Sequence, residues 1–288
     1  MNEQVDDVAA VRIVTVVFHP GEELERFVQS IAAATGRSTH LVVVNNGPMN
    51  EILRTVGARP GVSILDAGGN VGYGTAANLG ARGAPGEWVV VSNPDIVLTP
   101  GSLDRLLAVG ASRPSAGSLG PSLLNTDGSL YPSARSVPSV RVGVGHALFG
   151  RVWASNPWSS RYQVVPGGTA PTPVGWLSGA FLLMRLDAFR QAGGFDERYF
   201  MFFEDLDLGE RLGALGWENV YVPDARVVHD QGTSWRHTPV PMIRAHHRSA
   251  RRYIRSRYSS WYMAPLRWVL VAGLRSREAF AVRQAGRR

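Results

Sequence analysis

GGNVGYGTAANLG, residues 68–80, is the stretch on which the fold turns. Inside it, Gly72-Tyr73-Gly74-Thr75-Ala76-Ala77 nearly matches the glycine turn that cradles a dinucleotide in a βαβ unit. Position excludes that match. The dinucleotide turn follows the first strand of its unit, and here the first apolar run, RIVTVVF (12–18), leads into Phe18-His19-Pro20-Gly21. The glycine loop comes after the third such run and opens a helix, where its N–H groups can still meet a phosphate. A nicotinamide enzyme is set aside on this ground.

Outward from the loop, short β-branched runs alternate with helical patterns. RIVTVVF (12–18), LVVV (41–44), VSIL (62–65) and WVVV (88–91) are too short for helices and read as buried strands. Between the first two, Leu24, Phe27, Val28 and Ile31 stand at helical spacing. This alternation predicts an α/β fold with a mostly parallel sheet flanked by helices. Ligands bind beyond the carboxyl ends of such strands, where Asn45, Asp66 and Asp95 fall.

Residues 110–175 are rich in Gly, Pro and Ser with scattered aromatics (Phe149, Trp153, Trp158, Tyr162), and read as irregular structure over a binding site. AFLLMR (180–185) is a further strand, followed by a short helix stopped at Gly193-Gly194. A helix is expected from Asp205, with Leu208, Leu212 and Leu215 on one face and Gly216 as its stop. VYV (220–222) and RVVH (226–229) read as two short final strands.

The totals fit a core-forming protein of 288 residues, 44% hydrophobic, with mean hydropathy −0.06. Without cysteine there is neither a disulfide framework nor a thiolate zinc site. MNEQVDDVAAVR, at the start, is acidic, has no apolar run of the signal-peptide kind, and is expected to be flexible over residues 1–11. Charge is divided unevenly. Residues 1–235 carry 17 Arg against 22 acids, a net of −5, whereas residues 236–288 carry 13 Arg against the single acid Glu278, a net of +12. All the basic residues are Arg. A basic tail on an acidic body points to an anionic partner. Residues 239–259 form a candidate basic helix with Ile243, His247, Ala250, Ile254 and Tyr258 along one face. WYMAPLRWVLVAGL (261–274) is apolar, but shorter than a spanning helix and broken by Pro265 and Arg267. It suits a membrane surface, with Trp and Tyr at headgroup level; packing on the domain or a homo-oligomer contact is the alternative. No nucleic-acid motif accompanies the arginines, so a nucleic-acid partner is not expected.

Three clusters could carry chemistry. Asn93-Pro94-Asp95 ends an apolar strand, so its carboxylate suits Mg²⁺ or Mn²⁺ on a diphosphate, although an Asp there also caps turns. Glu204, Asp205 and Asp207 open a helix, as its dipole favours, but they directly follow the aromatic run Tyr199–Phe203. A carboxylate beside apolar surface has its pKa raised toward that of a general base. His229 ends RVVH and could complete a cation's coordination with Asp95, or be an ordinary core histidine.

Taken in order, RIVTVVF, VVVNNG, GGNVGYGTAANLG, VVSNPDI, WLSGAFLLMRLDAFRQAGGFDERYFMFFEDLDLGERLGALGW and VYVPDARVVH resemble the family 2 inverting glycosyltransferases of the GT-A fold, in their rhamnosyltransferase branch. The resemblance covers about residues 12–232, and Gly179 to His229 is its most specific part. It implies a glycosyltransferase domain over 12–235 and a basic helical membrane-associating tail over 236–288. It implies transfer of L-rhamnose from dTDP-β-L-rhamnose to the GlcNAc of a polyprenyl (decaprenyl) diphosphate acceptor, building a cell-wall linker at the cytoplasmic face of the plasma membrane. Another sugar moved to another lipid-linked or polysaccharide acceptor is the alternative within the family. By position, Asn45 stands where the family has an Asp reading the base, and Asn70, Gly72, Asn78 and Asn93 lie along the nucleotide diphosphate. Asp95 and His229 are the metal ligands, Asp205 the catalytic base, Glu204 its partner or an acceptor contact, and Trp176 faces the acceptor sugar.

Overall fold

The computed structural model describes residues 11–137, 168–230 and 239–286. The chain runs β1 (Val11–Val17), α1 (Glu22–Ala34), β2 (Thr39–Asn45), α2 (Glu51–Gly57), β3 (Val62–Asp66), α3 (Tyr73–Ala81), β4 (Trp88–Ser92), β5 (Ile96–Leu98), α4 (Ser102–Ser112) and β6 (Ala116–Leu124). It continues with β7 (Leu130–Tyr131), β8 (Ala134–Arg135), β9 (Thr172–Val174), β10 (Trp176–Leu177), β11 (Phe181–Arg185) and α5 (Leu186–Gln191). After these come α6 (Glu204–Ala214), β12 (Glu218–His229), α7 (Pro239–Arg257), a 3₁₀ turn (Trp261–Met263) and α8 (Ala264–Ala285).

The main sheet has the order β3-β2-β1-β4-β11-β6-β12-β5, with β7 beside β6 and β9 beside β12. β1 to β4 pair in parallel, as their unbroken apolar sequences predict. Beyond β4 the sheet is mixed: β11 is antiparallel to β4 and β6, and β12 is parallel to β6. Strand alternation sends Ile13, Val17, Val43 and Val90 to one face, against Leu24 and Phe27 of α1, Leu53 of α2 and Leu103 of α4. Val14, Val16, Val44 and Val91 go to the other, against Ala76 and Ala77 of α3, Phe189 of α5 and Leu208 of α6. Burial on both faces is why these strands read as continuous apolar runs.

Four expectations change. Part of the stretch read as irregular is β6, a strand buried along nearly its whole length, and α4 reaches Ser112. β6 reads AGSLGPSLL because large neighbours need its small residues. A Cβ at Gly117 would stand 2.7 Å from the Trp217 side chain. VYV and RVVH are one strand, β12, whose register against β6 shifts between Val222 and Arg226, beside Pro121. That irregularity accommodates a proline inside a sheet. Leu215 is exposed just past the end of α6. The first strand takes in Val11, while residues 1–10, the aromatics between 149 and 162, and residues 231–238 lie outside those described.

The tail is helical as expected, and α8 extends well past the apolar stretch, to Ala285. α7 lies against the domain, burying His247, Ala250 and Tyr253. α8 packs on α7, with an Arg251–Glu278 ion pair between them, and leaves Trp268, Val269 and Phe280 exposed. Trp261, at the turn, is 85% exposed. Among the described residues, no helix is long and apolar enough to cross a membrane.

Candidate active site

Topology brings the carboxyl ends of β1 to β4, the end of β12 and the start of β11 to one edge. β11 runs against β4, so the residues before it, Ser178 to Ala180, meet the residues after β4. The Asn93 N–H donates to Ala180 O at 2.9 Å and ties Asn93-Pro94-Asp95 there. β5 then pairs with β12 so that Ile96 faces His229. Asp95 Oδ1 and His229 Nε2 are consequently 3.2 Å apart, with side chains only 12% and 11% exposed.

Asp95 Oδ1 and His229 Nδ1 are both buried without a hydrogen-bond partner. Such atoms are costly unless something else engages them. A carboxylate oxygen and an imidazole fit a divalent cation of the Mg²⁺ or Mn²⁺ kind. The described residues contain no cluster of three or more His, Cys, Asp or Glu arranged to hold a metal.

Asp205 sits in the first turn of α6 and is half-buried. Gly179 N–H donates to its Oδ2 at 2.9 Å and Leu206 N–H to its Oδ1 at 2.8 Å. Tyr73, at the start of α3, donates its hydroxyl to Gly179 O at 2.8 Å. Burial raises the Tyr73 pKa, and the negative charges of Glu204, Asp205 and Asp95 raise it further. Through Gly179 and Ala180, the Asn93-Pro94-Asp95 turn and Asp205 come to the same sheet edge.

The two adjacent acids differ in environment. Glu204 is 6% exposed and its Oε2 has no partner. Burial first, and the neighbouring Asp205 charge second, push its pKa up to about 8. Burial raises Asp205 as well, but two backbone N–H groups and the Arg135 charge draw it back down. Both adjacent carboxyls are thus raised by burial, and the two titrate as an interacting pair. Asp207 instead accepts from Arg211 Nε at 2.7 Å one turn along, a helix-surface pair.

The aromatic run before these acids is a tight turn. Phe202 and Phe203 both have left-handed backbones, with φ of 67° and 70°. Each costs about 1–2 kcal/mol for a residue with a Cβ. Strain of this kind persists only where the surroundings hold it. On one side Phe200 O accepts the Tyr73 N–H at 2.8 Å. Gly72 makes this possible: its φ is 92°, and a Cβ there would lie 2.5 Å from Phe200 O.

Other expected residues fall as follows. Asn45 is buried, closing a turn on Gly47 with its Nδ2 donating at 2.6 Å and its Oδ1 accepting at 3.1 Å. Asn70 is exposed, and its Oδ1 accepts the Gly72 N–H at 3.4 Å. Asn78 turns its carboxamide to backbone: its Nδ2 donates to Phe195 O and its Oδ1 accepts Phe195 N–H, both at 2.9 Å. A carboxamide at that spacing reads as a ligand contact in sequence but here fastens a loop. Trp176 is 5% exposed, packs with Tyr199, Leu206 and Tyr253, and has the Arg135 guanidinium over its ring at 5.0 Å.

Two residues of the site were not anticipated. Asn46 is buried, donates to Gly72 O at 3.2 Å, and has an unpartnered Oδ1; its adjacency to Asn45 was the available signal. Arg135 stands on β8, opposite Trp176 of β10. It lies in the stretch taken as irregular, so only the pairing reveals it. A cleft of about 690 Å³ opens along α6 between Trp217, Glu210 and Tyr253. None of Asp95, Asp205 or His229 lines it.

The chain is similar to several known proteins. The chain is 44% identical to N-acetylglucosaminyl-diphospho-decaprenol L-rhamnosyltransferase of Mycobacterium tuberculosis, over 96% of this chain and 94% of that protein. It is 29% identical to the rhamnosyltransferase WbbL of Escherichia coli, over 57% of this chain and 62% of that one. The solved structure of GalNAc-T7 with UDP, GalNAc and Mn²⁺ superposes with a TM-score of 0.59 at 16% identity, covering 78% of this chain and 44% of that one. Staphylococcus aureus TarS gives 0.55 at 13% identity, over 85% of this chain and 65% of that one. At such identities the two structures speak to the fold alone, which is the GT-A type. The sequence pattern of one family, Glycosyl transferase family 2, matches residues 12–190. With strands β1 to β4, the Asn93-Pro94-Asp95 turn and β11 all inside that match, the chain belongs to glycosyl transferase family 2.

Proposed function

We propose that the protein is an inverting, metal-dependent rhamnosyltransferase, moving L-rhamnose from dTDP-β-L-rhamnose to the GlcNAc of a polyprenyl (decaprenyl) diphosphate acceptor. The observation that carries this reading is the Asp95–His229 pair together with an Asp205 held by two backbone N–H groups, one from Gly179, next to the Ala180 that ties the Asn93 turn. The donor and acceptor follow the name of the 44%-identical mycobacterial relative.

In this mechanism Asp205 accepts the proton of the acceptor hydroxyl as that oxygen attacks the anomeric carbon from the face opposite the nucleotide. The backbone N–H groups of Gly179 and Leu206 fix the carboxylate's direction, and Glu204 stands beside it as the neighbouring acid. Asp95 and His229 would hold Mg²⁺ or Mn²⁺, which neutralises charge on the departing diphosphate. Asn70, Gly72 and Asn93 border the diphosphate, and Asn45 Oδ1 has a second lone pair for the N3–H of the base. Trp176, beneath Arg135, forms the floor of the acceptor side.

The Arg-rich tail places the enzyme on the anionic inner face of the plasma membrane, where a polyprenyl acceptor resides. Trp261, Tyr262 and Trp268, all exposed, suit the headgroup layer. The test is donor selectivity. dTDP-rhamnose with Mn²⁺ should raise the thermal midpoint more than UDP-sugars do, and equal shifts from UDP-sugars would redirect the reading to another family 2 transferase.

A further inference from the structure

We infer that helix α7 of the C-terminal extension is part of the catalytic apparatus, because Ser249, with His246 and Tyr253, holds the strained Phe202–Phe203 turn and thereby aims Asp205. The inference rests on the proposed role of Asp205 as base.

Three contacts from α7 converge on that turn. Ser249 is 3% exposed, and its Oγ donates to Met201 O at 2.7 Å. The His246 ring meets the rings of both Phe202 and Phe203 edge-on, with centroids 5.4 Å away in each case. The Tyr253 ring lies 5.7 Å from Phe203 and is buried with Tyr199, Leu206 and Trp176. Next to them the Arg252 guanidinium covers the Tyr199 ring at 5.6 Å, and Arg257 pairs with Glu210 of α6 at 3.2 Å.

Two successive left-handed phenylalanines do not hold themselves. Across the turn from α7, the only backbone tie described to α3 is the Tyr73 N–H on Phe200 O. Phe203 is the residue before α6, and its carbonyl accepts the first bond of that helix, from Asp207 N–H at 2.9 Å. A shift of the turn therefore moves the first turn of α6, and with it the carboxylate that must meet Gly179 N–H. Ser249, His246 and Tyr253 touch no reacting group. They are positioning residues, and they give the tail a task in turnover apart from any contact with lipid.

The test uses the full-length chain, dTDP-rhamnose, and polyprenyl-diphosphate-GlcNAc in detergent, with Ser249→Ala, Ser249→Thr, His246→Ala and His246→Phe. Loss of aim predicts a drop in kcat of about tenfold for Ser249→Ala and a smaller one for His246→Ala, since misplacement of a catalytic group by about 1 Å costs up to ~100-fold. Donor KM and direct donor binding stay unchanged. Ser249→Thr, which keeps the hydroxyl, and His246→Phe, which keeps the ring, recover most of the rate. The pH profile separates aim from mere loss of folded protein. A carboxylate pulled from Gly179 N–H, still beside Glu204, Tyr73 and Arg135, loses activity at higher pH than the wild type, whereas a smaller folded fraction only scales the curve. His246 is exposed, so its variants report even where Ser249→Ala folds poorly. An active wild type with both alanine variants within twofold of its kcat, or with profiles merely scaled, overturns the tie alone. A wild type inactive with this donor and every acceptor overturns the assignment of Asp205, and the tie with it.

Discussion

Asp205→Asn removes a base while preserving its size. Both carboxylate oxygens accept backbone N–H groups, from Gly179 at 2.9 Å and Leu206 at 2.8 Å. A carboxamide offers one acceptor, so in either orientation its NH₂ faces one of those donors. The local cost is about 1–3 kcal/mol. Glu204 moves in the opposite direction, because one of the two causes raising its pKa is the Asp205 charge. The variant therefore folds with a modestly lower midpoint. Turnover is affected far more. A general base contributes ~10²–10⁴-fold, or about 3–5 kcal/mol of barrier at 1.36 kcal/mol per decade. The expected result is a kcat at least about 100-fold below wild type, with donor KM within about threefold, because the proposed donor groups are on Asp95, His229 and the Gly72 loop. Initial rates over a dTDP-rhamnose series, paired with calorimetric donor binding, measure both quantities. A kcat within tenfold of wild type would refute the assignment. So would donor binding lost in step with turnover, since that makes Asp205 a donor contact.

Asp95→Ala should weaken Mn²⁺-dependent donor binding at least about tenfold, and EDTA should stop wild-type transfer until Mn²⁺ or Mg²⁺ is returned; a rate indifferent to EDTA contradicts the metal. Glu204 sets a pH signature. Its folded pKa, about 8, exceeds the ordinary 4.5, so between those values the unfolded chain binds fewer protons and stability falls as pH rises, levelling above about 8. Glu204→Gln should match the wild-type melting point near pH 5 and exceed it by roughly 5 °C at pH 9, and a gap equal at both pH values contradicts the buried proton. Gly72→Ala puts a Cβ 2.5 Å from Phe200 O at a φ of 92°, and should lower both the melting point and kcat; an unchanged melting point contradicts the packing described. Trp261→Ser with Trp268→Ser should cut co-sedimentation with anionic vesicles several-fold, and equal sedimentation contradicts the lipid contact.

How much was legible follows from what surrounds each residue. β1 to β4 are apolar on both faces, so their sequences announce them before any pairing is known. β6 is just as buried, but Trp217 and Leu177 supply the bulk around it, and its own sequence of Ala, Gly, Ser and Pro resembles a loop. Asp95, Asp205 and His229 could be picked out because each ends a strand or opens a helix. That β5 sets Asp95 against His229 is a matter of register, which no single stretch carries. Asn78 and Asn45 were visible as polar residues at suggestive places, yet their carboxamides turn to backbone groups of Phe195 and Gly47. The left-handed turn at Phe202–Phe203 was the least accessible. Aromatic residues do not favour that conformation, and its support comes from α7, more than 40 residues later.

The central claim is a single transfer: L-rhamnose from dTDP-β-L-rhamnose to a polyprenyl-diphosphate-GlcNAc. Incubating the purified full-length protein with both substrates and Mn²⁺, followed by mass spectrometry of the lipid fraction, tests it directly. A lipid heavier by one deoxyhexose residue is expected, with the new linkage inverted to α and no product from Asp205→Asn. An unmodified lipid beside an active preparation that accepts a UDP-sugar, or a retained β linkage, would contradict it.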